Sequence, residues 1–219
     1  MRVIVTGAAR GIGLELVKRL HARGDNVLGT LRVPGEAPGP GDWDVLDVTR
    51  PGSARALSDA HPDPLDLLVC NAGVYLDKLN EIDTGFPADM WADTFAVNVT
   101  GVFLCVQAFL PQLRAAPAGK VAIIGSQMGS STRAPGGSFI YRASKAAALN
   151  LGRNLAADLR PEGIAVAIYH PGWVQTDMGG TVADLTVEDS AAGLIERFDA
   201  LSPEESGRFL CWDGREHPY

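Results

Sequence analysis

The chain has 219 residues, of which 46% are apolar and 21% are charged, and its formal net charge is −7. This composition excludes a disordered chain and is typical of a globular domain with a substantial core. The negative charge argues against a nucleic-acid-binding or membrane-surface protein, because both functions favour a basic surface.

The cysteines and histidines predict neither a disulfide framework nor a metal site. Cys70, Cys105 and Cys211 form no CxxC pair and suit buried side chains in a reducing compartment. The histidines lack metal-ligand spacing, so no metal is expected. No secretory signal is visible, and polar residues and a proline interrupt the longest apolar stretch, 95–113. We therefore expect a cytoplasmic protein that binds neither nucleic acid nor membrane.

The first half of the chain alternates short apolar runs with helical patterns. Loop 34–41 is rich in proline and glycine and lies within the domain. Pro51 favours the first turn of a helix, with Thr49 or Arg50 near its cap. The pattern predicts strands at 3–5, 27–31, 43–48 and 65–70, and helices at 11–23 and 51–60.

The second half repeats this rhythm. A helical pattern is expected to bend near Asn98, and Ser138 is a candidate N-cap for another helix. Apolar strands that alternate with helices predict a parallel sheet covered on both faces, within one domain at 1–219. The predicted helices are 87–116, 139–159 and 187–198, and the predicted strands are 121–125, 164–169 and 208–211.

A glycine-rich turn follows the first predicted strand. Gly7, Gly11 and Gly13 have the spacing G-x-x-x-G-x-G, and a helix begins among them. Such glycines let the backbone and the helix N-terminus approach a pyrophosphate, which the free N–H groups and the helix dipole attract. Placed after the first strand of a βαβ unit, the turn predicts a dinucleotide site. A tight turn without a ligand is the alternative.

The choice of dinucleotide depends on the end of the second strand. NAD-specific folds have an acidic residue there, whereas this chain has Arg32. Arg32 could pair with a 2′-phosphate, and Arg10 in the glycine turn could add a second positive charge. Either side chain could instead be solvated. Together with the missing acid they favour NADP(H), with NAD(H) as the alternative.

Tyr141 and Lys145 place a phenol and an ammonium four residues apart. On a helix they would lie on one face, one turn apart. An isolated tyrosine has a pKa near ~10, and a neighbouring lysine cation is expected to lower it. The pair is therefore a candidate for proton transfer, although such pairs also occur on solvated helices.

These motifs resemble those of the short-chain dehydrogenases/reductases over nearly the whole chain, and most closely the small C-factor-like members. The second likeness rests on segments 141–147, 170–180 and 207–214. The resemblance implies a Rossmann-like, doubly wound parallel sheet of about seven strands in the order 3-2-1-4-5-6-7, with helices on both faces.

The resemblance also implies an oxidoreductase that transfers a hydride between a nicotinamide and a small carbonyl or alcohol. Tyr141 would be the general acid or base, and Lys145 would bond the nicotinamide ribose. Ser126 would bond the substrate oxygen, and Asn98 would hold a backbone kink and a water. The implied cofactor-binding residues are Gly7, Arg10, Gly11, Ile12, Gly13, Arg32, Asp47, Val48, Asn71, Ala72, Gly73, Tyr141, Lys145, Pro171, Gly172, Val174 and Thr176.

Several alternatives stay open. Ser126 precedes Tyr141 by 15 residues (141 − 126), more than is usual in the family, so Ser130 and Ser131 compete for its role. Some C-factor-like proteins are discussed as signalling proteins, so an NADP-binding regulator with little or no turnover is the second hypothesis. The family pairs its long helices between subunits, which predicts a homodimer or homotetramer.

Overall fold

Seven strands and six α-helices follow one another along the part of the chain that the computed structural model describes, residues 1–83 and 85–219. A π-helical turn, Ala96–Thr100, joins the third and fourth helices. The strands are β1 (Arg2–Val5), β2 (Asn26–Leu31), β3 (Asp42–Val45), β4 (Leu67–Cys70), β5 (Lys120–Ile124), β6 (Ala165–His170) and β7 (Phe209–Cys211). The helices are α1 (Gly11–Ala22), α2 (Pro51–Ala60), α3 (Ala88–Phe95), α4 (Gly101–Ala115), α5 (Phe139–Leu159) and α6 (Val187–Ala200).

The strands form one parallel sheet in the order β3-β2-β1-β4-β5-β6-β7. This confirms the predicted order. The chain first extends the sheet on one side of β1 and then crosses to β4 on the other side. Ligand crevices in doubly wound sheets form at this switch point, beyond the carboxyl ends of the strands. The fold therefore places the ends of β1 and β4 at the candidate site.

Buried side chains alternate between the two faces of the sheet. On β4, Leu67 and Val69 face the core under α1 and α6, whereas Leu68 and Cys70 face the core under α2, α4 and α5. All four residues are 3% exposed or less. A strand with both faces buried needs a continuous apolar run, which is why the sequence pattern identified β4.

Several predicted ends of elements differ from the structure, among them β4, which begins at Leu67 instead of residue 65, and α6, which ends at Ala200 instead of residue 198. β3 ends at Val45 instead of residue 48, because the Asp47 carboxylate accepts a hydrogen bond from the Thr49 backbone N–H (3.0 Å) and turns the chain. Ser138 is not a side-chain cap of α5: it has a left-handed φ of 48° and makes no side-chain bond to the helix. The predicted bend near Asn98 is confirmed as the π-helical turn.

The continuous helical run Ala88–Ala115 passes the length and composition test for a membrane span. Its buried residues, among them Cys105, Phe109 and Leu113, pack in the core beside the sheet. This is the behaviour of a core helix in a doubly wound fold.

Candidate active site

Hydrogen bonds between the ends of β1 and β4 fix the glycine turn. Asn71 Nδ2 donates to the carbonyls of Thr6 and Gly7, both at 3.0 Å. Thr6 Oγ1 accepts from the backbone N–H groups of Asn71 (3.0 Å) and Ala72 (3.1 Å). Gly7 has a φ of 62°, and a Cβ there would lie 2.8 Å from Ala72 Cα; at Gly13 it would lie 2.5 Å from Asn71 Nδ2. The turn therefore depends on glycine for both its conformation and its packing.

A cleft of about 400 Å³ opens at this turn, beyond the carboxyl ends of the strands. It brings together residues that are far apart in the sequence and that were predicted to bind a dinucleotide. These are Gly7, Arg10, Gly11, Ile12, Gly13, Asn71, Gly73, Tyr141, Lys145, Pro171 and Thr176. Of the predicted residues, Arg32, Asp47, Val48, Ala72, Asn98, Ser126, Gly172 and Val174 do not line the cleft formed by the described residues.

The start of α1 points its backbone N–H groups toward this cleft. Arg10 occupies the N-cap without a side-chain hydrogen bond to the helix, and the described first turn holds no acidic residue. Arg10 instead forms an ion pair with Asp177, and both side chains are exposed. The first-turn N–H groups of α1 are thus left for an anionic ligand.

Tyr141 lies on the first turn of α5, with its phenol at the cleft. It is only 7% exposed, and its ring stacks on Tyr75 at a centroid distance of 4.3 Å. Burial raises the pKa of Tyr141 to about 12; a hydrogen bond with Ser126 lowers it, and nearby Tyr75 and Asp77 raise it. The expectation that Lys145 lowers this pKa is therefore wrong for this structure, because desolvation of the phenolate dominates.

Lys145 lies one helical turn below Tyr141 and is also buried. Its Nζ donates to the Ile124 carbonyl at 3.0 Å and lies 5.7 Å from the centre of the Tyr141 ring. Burial lowers the pKa of Lys145 to about 8. A cationic form near neutral pH is therefore retained at the cost of desolvating it.

The Lys145→Met variant is expected to be more stable than the wild type at pH 7, by up to about 3 kcal/mol. The folded-state pKa of about 8 lies below the ordinary 10.5, so the unfolded chain binds more protons between these values. Wild-type stability should therefore rise with pH in this window, whereas the variant lacks that contribution. Urea unfolding of both proteins at pH 7 and pH 9.5 should show the difference shrinking. A stability difference between the two proteins that is the same at both pH values would contradict the lowered pKa of Lys145.

Ser126 is the serine that hydrogen-bonds with Tyr141. It follows β5 directly, and its Oγ also accepts from Met128 N at 3.1 Å. Ser130 is hydrogen-bonded to Thr132 through their hydroxyl groups at 2.9 Å, and Ser131 is exposed. The geometry therefore favours Ser126 over its two competitors.

Asn98 is buried in the π-helical turn, where its side chain forms hydrogen bonds with other protein groups. Its Oδ1 accepts from Val74 N at 2.8 Å, and its Nδ2 donates to Val74 O (2.9 Å) and Ser144 Oγ (3.0 Å). Ser144 Oγ in turn donates to the Tyr141 carbonyl at 2.8 Å. Asn98 thus connects the strand-end loop after β4 to the helix that carries Tyr141.

The loop after β6 forms the opposite wall of the cleft. Ser190 Oγ on α6 donates to the Pro171 carbonyl at 2.6 Å, and Thr176 Oγ1 accepts from Gly179 N at 3.0 Å. Val174 is buried and bridges to Leu185. These contacts hold Thr176 beside the glycine turn.

The predicted adenine and 2′-phosphate residues lie outside this cleft, at the ends of β2 and β3. A hydrogen bond from Thr49 lowers the pKa of Asp47, and burial opposes this effect. The positive charges of Arg32 and Arg50 contribute to the same lowering. Arg32, with an exposed side chain, therefore lies near Asp47.

Two acidic residues at the site, Asp77 and Asp177, were not predicted from the sequence. Asp77 is fully buried and bonds the start of α5, and Asp177 pairs with Arg10 across the cleft. Asp77 stands alone in a loop with no periodic pattern around it, so it gave no sequence signal. Asp177 follows the predicted loop 171–176 directly, and its neighbour Met178 places Sδ 4.0 Å from the Tyr141 hydroxyl.

A comparison with protein families adds to this geometry. The family model for short chain dehydrogenases matches residues 43–185, which is more than half of the chain. The chain belongs to the short-chain dehydrogenase/reductase family. The match begins after the glycine turn and includes Asn71, which donates to the carbonyls of Thr6 and Gly7.

Two curated relatives of this short-chain dehydrogenase/reductase cover most of its length. The C-signal protein of Myxococcus xanthus is 44% identical over 159 residues, 71% of this chain and 93% of that protein. The 1-hydroxy-2-glutathionyl-2-methyl-3-butene dehydrogenase of Rhodococcus sp. is 35% identical over 228 residues, 97% of this chain and 96% of that protein. The first likeness confirms the resemblance to C-factor-like members.

A solved structure agrees with the fold over its whole length. The NADPH-bound carbonyl reductase from chicken fatty liver has a TM-score of 0.90 and 33% sequence identity. The alignment covers 100% of this chain and 98% of that one. The Rossmann-like architecture predicted for this short-chain dehydrogenase/reductase is thereby confirmed.

Proposed function

We propose that this protein is an NADP(H)-dependent oxidoreductase that interconverts a carbonyl compound and its alcohol. The observation that carries the proposal is the meeting of the Tyr141–Lys145 pair with the glycine turn in one cleft. A proton donor beside a dinucleotide-binding turn is the arrangement that hydride transfer to a carbonyl requires. A protein that only binds a nucleotide has no use for a buried phenol and ammonium at this place.

The residues present fit a dinucleotide. Gly7, Gly11 and Gly13 leave room for its pyrophosphate, which the free N–H groups of α1 attract. Asp47 and Val48 would hold the adenine, and Asn71, Ala72 and Gly73 would border the cofactor. Pro171, Gly172, Val174 and Thr176 would hold the nicotinamide carboxamide, and Lys145 the ribose. When bound, the cofactor supplies or accepts the hydride.

The roles of the protein side chains follow from their positions. In reduction, Tyr141 gives its phenolic proton to the substrate oxygen, and Ser126 donates a hydrogen bond that stabilises the charge developing there. In oxidation, the Tyr141 phenolate takes that proton back, and the Lys145 cation supports the phenolate. Burial raises the pKa of Tyr141 further above neutral pH, so the phenol is the form from which it acts as a general acid.

Arg32→Ala is expected to weaken NADPH binding about 10- to 100-fold, because a charge-assisted bond to the 2′-phosphate is lost. NADH, which lacks that phosphate, should bind the variant and the wild type alike. Fluorescence titration with both nucleotides measures the effect, and Arg114→Ala on α4, an exposed arginine paired with Glu162, is the control. An equal loss for NADPH and NADH would contradict the preference for NADP(H).

The direct test of the function is NADPH oxidation in the presence of aldehydes, ketones, quinones and keto-esters. Met178 lines the cleft and places its Sδ 4.0 Å from the Tyr141 hydroxyl, which favours substrates with an apolar part. Turnover of at least one class is the expected result.

The second candidate is an NADP-binding signalling or regulatory protein with little or no turnover. The similarity to a relative named C-signal favours this function. The same panel of substrates separates the two functions, because the regulator would bind NADPH but would not oxidise it with any of the substrates. The Tyr141 and Lys145 side chains in one cleft, together with the hydrogen bond between Ser126 and Tyr141, favour the enzyme.

We also propose that the protein forms a homodimer or homotetramer through α4 and α5. Phe103 on α4 is 42% exposed, and Leu151 and Leu155 on α5 are only partly buried. Contact with a second copy would remove these apolar groups from water. Size-exclusion chromatography with light scattering should give two or four chain masses, and a single monomeric peak would overturn this assembly.

A further inference from the structure

One acidic side chain near the site is fully buried and has no part in the mechanism above. Asp77 is 0% exposed and lies in the loop between β4 and α3. Its Oδ2 accepts a hydrogen bond from Ile140 N at 2.8 Å, and its Oδ1 accepts from Tyr141 N at 3.2 Å. Asp77 therefore caps the catalytic helix α5 from 64 residues away along the chain.

The local sequence does not cap α5 itself. Ser138, at the N-cap position, has a left-handed backbone and makes no side-chain bond to the helix. Its hydroxyl group is hydrogen-bonded to the hydroxyl of Tyr75. A local serine cap would satisfy the same helix N–H groups without burying a carboxylate, which is costly. We therefore expect the long-range cap to have a role besides the stability of the helix.

This second role is to link the loop between β4 and α3 to Tyr141. Val74 is bonded to Asn98, the Tyr75 ring stacks on the Tyr141 ring, and Lys78 donates to the Met178 carbonyl at 3.3 Å. Segment 74–78 thus contacts three parts of the site. Asp77 is its attachment to the backbone N–H of Tyr141.

We propose that Asp77 is a positioning residue that fixes the start of α5 and thereby aims the Tyr141 phenol at the substrate oxygen. The inference rests on the proposed function. Since a displacement of a reacting group by about 1 Å can cost about 100-fold in rate, loss of this attachment should lower kcat. Cofactor affinity should change little, because Asp77 does not line the cofactor cleft.

The test compares Asp77→Ala and Asp77→Asn with the wild type in NADPH-dependent carbonyl reduction. We expect kcat to fall about 100-fold in the alanine variant and about tenfold in the asparagine variant, whose carbonyl still accepts one N–H. The Kd for NADPH, measured by fluorescence at the same temperature, should stay within about threefold of the wild-type value. A smaller loss of kcat in the asparagine variant than in the alanine variant would indicate that Asp77 acts by positioning.

Asp89→Ala is the matched control. Asp89 lies in the first turn of α3, is exposed and bonds a backbone N–H, so its loss affects a helix start away from the cleft. It should lower thermal stability without changing kcat. If Asp77→Ala does not fold, Asp77→Asn decides.

Three results would overturn the inference. They are a wild-type kcat in either Asp77 variant, a parallel loss of kcat and NADPH affinity, and an equal kcat loss in Asp89→Ala. A wild type that turns over none of the carbonyl panel counts against the proposed function, and with it against the role of Asp77. An active wild type with unchanged Asp77 variants counts against Asp77 alone.

Discussion

Tyr141→Phe is expected to lower carbonyl reduction by about 10²- to 10⁴-fold, the usual contribution of general acid–base catalysis. The substitution removes only the phenolic hydroxyl, so the stacking on Tyr75 and the shape of the cleft remain. NADPH should therefore bind as in the wild type. Steady-state oxidation of NADPH and a fluorescence titration measure the two quantities.

Tyr169→Phe is the matched control for this change. Tyr169 is buried under α6, and its hydroxyl donates a long hydrogen bond (3.4 Å) to the Arg197 carbonyl, outside the cleft. Its activity should equal that of the wild type. Full carbonyl reduction by Tyr141→Phe would remove Tyr141 from the mechanism.

Gly7→Ala is expected to destabilise the protein by about 2–6 kcal/mol and to weaken NADPH binding at least about tenfold. Alanine disfavours a φ of 62°, and its Cβ would lie 2.8 Å from the backbone of Ala72, which Thr6 holds in place. The turn must therefore shift away from the strand ends. Urea unfolding and NADPH titration measure the two losses.

Gly163→Ala separates the two causes. Gly163 has a similar φ of 76°, but apart from its chain neighbours no described residue lies within 4 Å of the position of its Cβ. It should lose only the conformational part, about 1–2 kcal/mol, with unchanged NADPH affinity. Equal losses for Gly7→Ala and Gly163→Ala would show that contact with Ala72 is unimportant.

The order of the elements could be predicted because each strand and helix carries its own pattern. Buried parallel strands require apolar runs such as β4, and helices require an apolar stripe. The ends of elements were predicted less well where a side-chain hydrogen bond, and not the apolar pattern, determines where the element begins or ends. Asp47 ends β3 early by bonding Thr49, and the start of α5 depends on Asp77 instead of Ser138.

The site could be predicted where its chemistry is local. The glycine turn and the Tyr141–Lys145 spacing each lie within one segment, so neighbouring residues reveal them. The pKa of Tyr141 was not predictable, because it depends on burial by Tyr75 and on the charge of Asp77. These contacts join residues about 65 positions apart.

The sequence by itself determined the family and the strand order, and it singled out the Tyr141–Lys145 pair that we propose for proton transfer. Its motifs are short, and each lies at the end of a strand or the start of a helix, where the parallel sheet must bring them together. Only the tertiary structure decided that burial raises the pKa of Tyr141 and that Asp77 caps the helix that carries it. Desolvation and long-range capping arise when distant segments pack, so no local pattern encodes them.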